Sequence, residues 1–433
     1  MNAARSVRRS VTAETIAIGS ELLVGGRSDS NSLFITEALG RLGIEVRFKS
    51  IVGDDLADMV QVLKTAVSRA GVVIMTGGLG PTVDDCTREA VAKATGRRLA
   101  RRKAALDGMT ARLAQWGRTP NAGQLRQAMI PAGATVVANP VGSAPGFLLE
   151  WKGATVVSLP GVPREMEAMM TESVIPFLND QFARSSRLRP RPILRQVFHT
   201  WGLPESDVDT KLKGLIPNGA PIDLGLLASP MGVLVSLTTK SGGTRPVSDE
   251  MLASLAQEVR TRLKDSLFAE GRETMEEVVG RLLAGRTLTV AVAESCTGGL
   301  IGHRLTQVPG SSAYVDRGAI CYSNRAKSEM LGVPAELIAK HGAVSPEVAA
   351  AMARGIRERA GVSVGLSVTG IAGPGGATGT KPVGLVYVGL DGGAGRAVTK
   401  EFRFHGDRLV IKQRSSQAAL DLLRRWILSQ GGA

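Results

Sequence analysis

The chain is short of aromatic residues and cysteine, and it lacks any long apolar run. Phe, Trp and Tyr supply 4% of its 433 residues, so its cores have to be built from aliphatic side chains fitted by shape. Three cysteines, Cys86, Cys296 and Cys321, are odd in number and far apart, and no CxxC or Cys/His spacing occurs. That excludes a disulfide scaffold and gives no zinc pattern. No stretch approaches the ~18 apolar residues of a membrane helix, so no membrane partner is expected. The basic first residues lead into no apolar segment of a signal peptide. No internal repeat or low-complexity tract is visible. A globular protein of a reducing cytoplasm fits these absences.

What the chain has in excess is positive charge, +14 in formal terms. Such a balance favours anionic partners, either nucleic acid or phosphorylated small molecules. The charge sits in runs: Arg97, Arg98, Arg101, Arg102 and Lys103; Arg184, Arg187, Arg189, Arg191 and Arg195; Arg5, Arg8 and Arg9. No aromatic residue lies inside these runs to stack bases. They read as solvated faces and tails rather than a nucleic-acid site.

At roughly 100–200 residues per domain, the length suggests two to four domains. Residues 1–11 read as a disordered tail. From Thr12 the pattern is α/β: strand Thr15–Ile18, helix Asn31–Leu42, strand Glu45–Val52, helix Leu56–Ala70, strand Val72–Thr76. Strands alternating with helices of this length predict a parallel, covered sheet, here over residues 12–180. Arg184–Pro192 reads as a linker. A small α+β connecting domain is expected over residues 185–268, and Gly271 opens a second linker. A third, α/β unit is expected over residues 273–430. In it Leu288–Ala293, Ala319–Tyr322, Val364–Thr369 and Val383–Leu390 read as strands. Ser345-Pro346-Glu347 has a serine cap, a proline at the first helical position and an acid in the first turn, which predicts a helix to about Ala360.

Two N-terminal loops follow predicted strands, where an open parallel sheet binds ligands. One holds Glu21 and Asp29. The other is Thr76-Gly77-Gly78-Leu79-Gly80-Pro81-Thr82-Val83-Asp84-Asp85. Backbone N–H groups of Gly77, Gly78 and Gly80, with Thr82, suit phosphate oxygens. Asp84 and Asp85 beside an anion make sense with a bridging divalent metal ion, to which Glu21 and Asp29 would add oxygens. The plainer reading is tight turns and helix caps. The stretches IAIGSELLVGGRSDSN, TGGLGPTVDDCTREA and LPGVPREMEAMM resemble the N-terminal domain of the CinA family, itself similar to the MoaB/MogA molybdopterin-binding fold. The resemblance implies a metal-dependent ADP-ribose pyrophosphatase using those positions.

In the third unit, Ala293-Glu294-Ser295-Cys296-Thr297-Gly298-Gly299 leaves a strand and opens a helix. A hydroxyl there lies beside free backbone amides that could form an oxyanion hole; equally, Ser295 or Thr297 could simply cap the helix. A serine nucleophile needs a base. His199, His303, His341 and His405 sit in no triad context, His303 in a helix and His341 in a turn. Tyr322, at an expected strand end, and Lys327, on the next helical turn near Arg325, offer another base, since a desolvated lysine loses its proton more readily. A third glycine-rich loop carries Thr369, Gly370 and Gly373, and Arg408 precedes the last helix, where it could pair with a phosphate.

The stretches AESCTGGL, VPGSSAYVDRGAICYSNRAKSEMLGV, HGAVSPEVAAAMA, SVTGIAGPGG and KPVGLVYVGL resemble the CinA C-terminal domain, the nicotinamide-nucleotide amidohydrolase family. The resemblance implies hydrolysis of nicotinamide mononucleotide (NMN) to nicotinate mononucleotide and ammonia. It implies Ser295 as nucleophile with Tyr322 and Lys327 as the other catalytic residues. Thr297, Gly298, Gly299, Thr369, Gly370, Gly373 and Arg408 are the candidate substrate and oxyanion contacts. No cofactor is expected for this half, and a divalent metal ion is expected for the N-terminal half. NMN and ADP-ribose are the expected small-molecule partners, and a homodimer is expected. Two other readings stay open: a scaffold linked to competence or DNA damage, supported only by the basic runs, and a molybdopterin-binding protein without hydrolase activity.

Overall fold

The computed structural model describes residues 11–183, 192–240 and 249–430. The expected tail and linker, with Arg5, Arg8, Arg9, Arg184, Arg187, Arg189 and Arg191, lie outside the described residues. The chain divides into two compact units, the first running to Leu194 and taking in Thr238 and Thr239 at the end of a later strand, the second opening at Arg195.

The first unit is a covered α/β sheet. In chain order the sheet strands and the main helices against them are β1 (Thr12–Ile18), α1 (Asn31–Arg41), β2 (Glu45–Val52), α2 (Leu56–Arg69), β3 (Val72–Thr76), α3 (Thr87–Thr95), β4 (Thr135–Val137), β5 (Gly146–Trp151), β6 (Ala154–Leu159) and α4 (Pro163–Met169). The sheet order is β2-β1-β3-β6-β5-β4. The first four strands are parallel, as the alternating pattern predicts, but β5 runs antiparallel to β6, and β4, antiparallel to β5, points back with the first four. The cause is a tight turn at Lys152-Gly153, where φ is +50° and +81°, the geometry of a two-residue hairpin. Every residue of β3 is buried. Its alternation sends Val73 and Met75 to the core under α2 and α3, and Val72 and Ile74 to the core under α1 and α4. Each fully buried side chain of this size stabilises the sheet by about 1.5–3 kcal/mol. Asp55 caps α2 by accepting from the Ala57 and Asp58 amides.

The second unit holds two sheets. The smaller contains β7 (Arg195–Thr200), β8 (Ile222–Ser229), β9 (Gly232–Thr239) and β10 (Leu267–Glu270) in the order β8-β9-β7-β10, with α5 (Glu205–Leu212) and α6 (Asp249–Leu263). Trp201 and Phe268 of this segment pack against the core of the larger sheet.

The larger sheet follows α7 (Met275–Gly285). Its elements are β11 (Val290–Glu294), α8 (Leu300–Thr306), β12 (Val315–Ile320), α9 (Asn324–Leu331), α10 (Ala335–His341), α11 (Pro346–Ala360), β13 (Val364–Gly370), β14 (Leu385–Asp391), β15 (Ala397–Arg403) and α12 (Arg408–Ser429). The order is β12-β11-β13-β14-β15, with β11 parallel to both neighbours and the last two strands antiparallel. Ser345 caps α11 through the Val348 amide, with Pro346 at the first helical position. Val290 and Val292 of β11 face the core under α7 and α12; Ala291 and Ala293 face α11.

The α11 face is packed main chain to main chain. A Cβ at Gly365 would lie 2.0 Å from the Ala353 carbonyl oxygen of α11, and one at Gly355 would lie 2.0 Å from the Leu331 carbonyl oxygen at the end of α9. These glycines are required by close approach, and they show how a domain with few rings keeps its layers tight. Among the described residues no helix is long and apolar enough to cross a membrane.

Candidate active site

Ser295 directly follows β11, a central strand, and its amide bonds the Val368 carbonyl at 3.0 Å, which fixes the start of the turn. Gly298 and Gly299 have φ of +61° and +95°, so the chain reverses into α8 at little steric cost. The organiser of this turn is Glu294, a residue with no role assigned from sequence. Its buried carboxylate accepts from the Gly299, Ile301 and Gly302 amides at 3.0, 3.1 and 2.8 Å. The expected oxyanion donors must be revised accordingly. The Gly299 N–H is taken by Glu294, and the Gly298 N–H bonds the Ser295 carbonyl at 3.2 Å. Thr297 remains: its amide makes no hydrogen bond among the described residues, and its buried hydroxyl has no partner.

Lys327 reaches the serine from α9, whose start is capped by Ser323. Its Nζ lies 3.0 Å from Ser295 Oγ, 2.9 Å from the Cys321 carbonyl oxygen and 3.2 Å from the Tyr322 carbonyl oxygen. Lys327 is 1% exposed and Ser295 7%. No carboxylate pairs with this lysine among the described residues, and burial pushes its pKa below the ordinary lysine value. Nζ donates to the two carbonyls and to Ser295 Oγ, and on losing one proton it would turn its lone pair to the serine hydroxyl. Arg325, expected to help lower this pKa, is instead exposed and 3.7 Å from Glu329.

Tyr322 is placed differently from the expectation. The strand ends at Ile320, and Tyr322 stands in the following loop, 59% exposed. Its hydroxyl accepts from Arg408 Nη2 at 2.9 Å, and Arg408 Nη1 donates to the Gly373 carbonyl at 2.7 Å. Tyr322 touches Lys327 through its backbone and makes no side-chain hydrogen bond to the serine or the amine. Arg408 therefore ties a rim together. Lys412, one turn further along α12, brings its Nζ to 3.6 Å from the Cβ position of Gly298; sequence reasoning missed it.

The remaining candidates are occupied locally. Thr369 Oγ1 donates to the Ala343 carbonyl at 2.8 Å, and Gly370 is pressed against β14, where a Cβ would lie 2.8 Å from the Leu385 carbonyl oxygen. None of the four histidines hydrogen-bonds Ser295: His199 meets the Gly271 carbonyl, His303 meets Gln307 and His341 meets Glu347. His341 ends α10 rather than sitting in a turn. Cys296 is no rival nucleophile, because burial pushes its thiol up to about 12.

In the first unit the glycine loop borders a cavity of about 570 Å³. Gly77, Gly78, Gly80, Asp84, Asp85, Glu21 and Asp29 all line it. A Cβ would lie 2.2 Å from the Ile18 carbonyl oxygen at Gly77, and 2.2 Å from Thr87 Oγ1 at Gly78, so these glycines serve close packing. Thr82 does not line the cavity; its amide and hydroxyl both donate to Asp85. Buried Arg88 braces the loop through the Leu79 and Gly80 carbonyls at 2.8 and 3.1 Å. Two lining side chains were not anticipated: Asn31 and Gln127 each hold a buried amide oxygen with no partner. Among the described residues no group of three or more His, Cys, Asp or Glu is placed to hold a metal ion. The four expected carboxylates thus share a cavity without forming a protein-only metal cage.

Known proteins match along the chain. A probable molybdopterin binding domain matches residues 14–180, a damage-inducible protein CinA KH domain residues 195–269, and the CinA C-terminal domain residues 272–427. A putative competence-damage inducible protein of Halothermothrix orenii is 43% identical over 415 residues, covering 96% of this chain and 98% of that protein. The chain belongs to the CinA family. A CinA-like protein of Geotalea uraniireducens is 41% identical over 96% of this chain and 97% of its own length. Among solved structures, the competence/damage inducible protein CihA from Agrobacterium tumefaciens is 41% identical, covering 35% of this chain and 94% of that one, with a TM-score of 0.34. The KH match of this CinA-family chain falls on the segment read from sequence as a small α+β domain.

Proposed function

We propose that the Ser295–Lys327 pair hydrolyses the carboxamide of NMN. The observation that carries this reading is the 3.0 Å approach of a buried, carboxylate-free amine to a buried serine hydroxyl. Ser295 Oγ attacks the carboxamide carbon as its proton passes to Lys327 Nζ. The Thr297 amide faces the oxygen on which charge develops. Lys327 returns the proton to the amide nitrogen, the C–N bond breaks and ammonia leaves, with nicotinate held as an ester on Ser295. Water then attacks that carbon while Lys327 takes its proton. The ester C–O bond breaks, and the proton goes back to Ser295 Oγ. Arg408 and Lys412 supply the cations for the substrate phosphate. The test is release of ammonia and nicotinate mononucleotide from NMN by the full chain beside Ser295→Ala. Release by the unaltered protein and none by the variant is expected; release by both removes Ser295 from the reaction.

The first unit supports a separate reading, binding of a nucleotide-like ligand such as ADP-ribose. The supporting observation is the unpartnered amide oxygens of Asn31 and Gln127 in a glycine-lined cavity, which suit donors on a base or a ribose. Pyrophosphate cleavage there would need a metal ion, for which the residues as placed form no three-ligand set, and no step is assigned to one. A molybdopterin would compete for the same cavity, and calorimetry with ADP-ribose decides between them. A nucleic-acid role draws no support from the KH match, since residues 192–271 contain no G-x-x-G, the loop that clamps a nucleic-acid backbone in such domains.

A further inference from the structure

The larger sheet carries a second cavity at the edge opposite Ser295, of about 450 Å³. Arg286, just after α7, Arg357, near the end of α11, and Arg396, in the β14–β15 hairpin, line it together with Leu288, Val362 and Trp426. Leu288 and Ser295 are seven residues apart along an extended segment, about 23 Å, so this cavity is not part of the amidase pocket.

Its charge is unbalanced. The lining holds three guanidinium groups and no carboxylate. Asp391, behind the wall, takes Arg357 Nε at 3.1 Å, and Glu358 takes Arg357 Nη2 at 3.3 Å. Arg396 has only neutral partners, the Gly393 carbonyl and Gln430 Oε1. The Arg286 guanidinium makes no hydrogen bond or ion pair among the described residues, and both Arg286 and Arg396 are exposed. Two positive charges therefore remain uncompensated around a space of small-molecule size. Guanidinium groups present paired donors that match phosphoryl oxygens, and several of them at once call for an anion with more than one charge and many acceptors. A monocarboxylate would satisfy one of them.

We propose that this cavity binds a small soluble phosphoryl anion of two or more charges, gripped by Arg286, Arg357 and Arg396. The probe is inorganic pyrophosphate, titrated calorimetrically into the full chain. Saturable binding is expected, weakened roughly tenfold by each of Arg286→Gln and Arg396→Gln. Pyrophosphate should also raise the Tm of the unaltered protein and leave that of the double variant unmoved. Both side chains are exposed, and the ligand-free melts check that the variants fold. Absence of saturable binding by the unaltered protein overturns the proposal. So does equal binding by both variants, which would place the anion at the Arg408 rim or in the N-terminal cavity.

Discussion

The two glycine-rich turns that end β3 and β11 look alike in sequence and are built for different ends. After β11, a buried carboxylate holds the turn and a buried amine meets its hydroxyl at 3.0 Å. After β3, the acids are spread around a cavity, one of them bound to its own loop through Thr82, and the unmet groups are amide oxygens. The first arrangement brings a hydroxyl and an amine together. The second leaves room and acceptors for a ligand. Strand, glycine and helix start are common to both, so the distinction lies in what reaches the turn from elsewhere in the chain.

Substitutions put that contrast to the test. The largest effect is expected from Ser295→Ala, which should lower NMN turnover by about 10⁴-fold or more while ADP-ribose binding, read by calorimetry, stays unchanged. Lys327→Met should cost about 10²- to 10⁴-fold in kcat. The pH profile of kcat gives the sign. Only the neutral amine accepts a proton, and burial lowers its pKa, so the rate should rise with pH through a midpoint below the usual lysine value of 10.5. A midpoint at or above 10.5 would remove the desolvated base. The same shift bears on stability. The unfolded chain holds this proton to higher pH than the folded one, so the burial penalty fades as pH rises toward 10.5, and a urea titration series should show it.

Glu294→Gln comes next. It replaces a carboxylate that takes three amides, and a loss of about 2 kcal/mol in unfolding free energy with a lower kcat is expected from chemical melts and kinetics. Asn31→Ala should weaken ADP-ribose binding roughly tenfold and leave NMN turnover alone. Tyr322→Phe should be the mildest. Because its hydroxyl serves Arg408, KM should rise several-fold with kcat nearly constant; a collapse of kcat would return Tyr322 to the proton path.

Much of the frame was readable in the sequence because it is local. Glu45–Val52 and Val72–Thr76 are strands over those residues, and Ser345-Pro346-Glu347 starts its helix as its side chains dictate. The strand, turn and helix start around Ser295 were readable too. What escaped depends on partners distant in sequence or on a turn without its usual residues. Lys152-Gly153 makes a hairpin without Asn or Asp, so the reversal of β5 was missed. Glu294 looks like the last residue of a strand until the amides it caps are in place. Lys327 looks like a surface charge on a polar helix until the sheet closes over it, and the loop after Ile320 turns Tyr322 outward.

The glycine seam beneath α11 acts as a machining tolerance for the Ser295–Lys327 contact. Gly355 seats against the Leu331 carbonyl at the end of α9, the helix that carries Lys327 one turn earlier. Contact there is backbone on backbone, so no side chain can flex to absorb an added atom. A single methyl at position 355 would work as a shim under α9, lifting the amine away from the serine while Ser295 and Lys327 both stayed in the sequence.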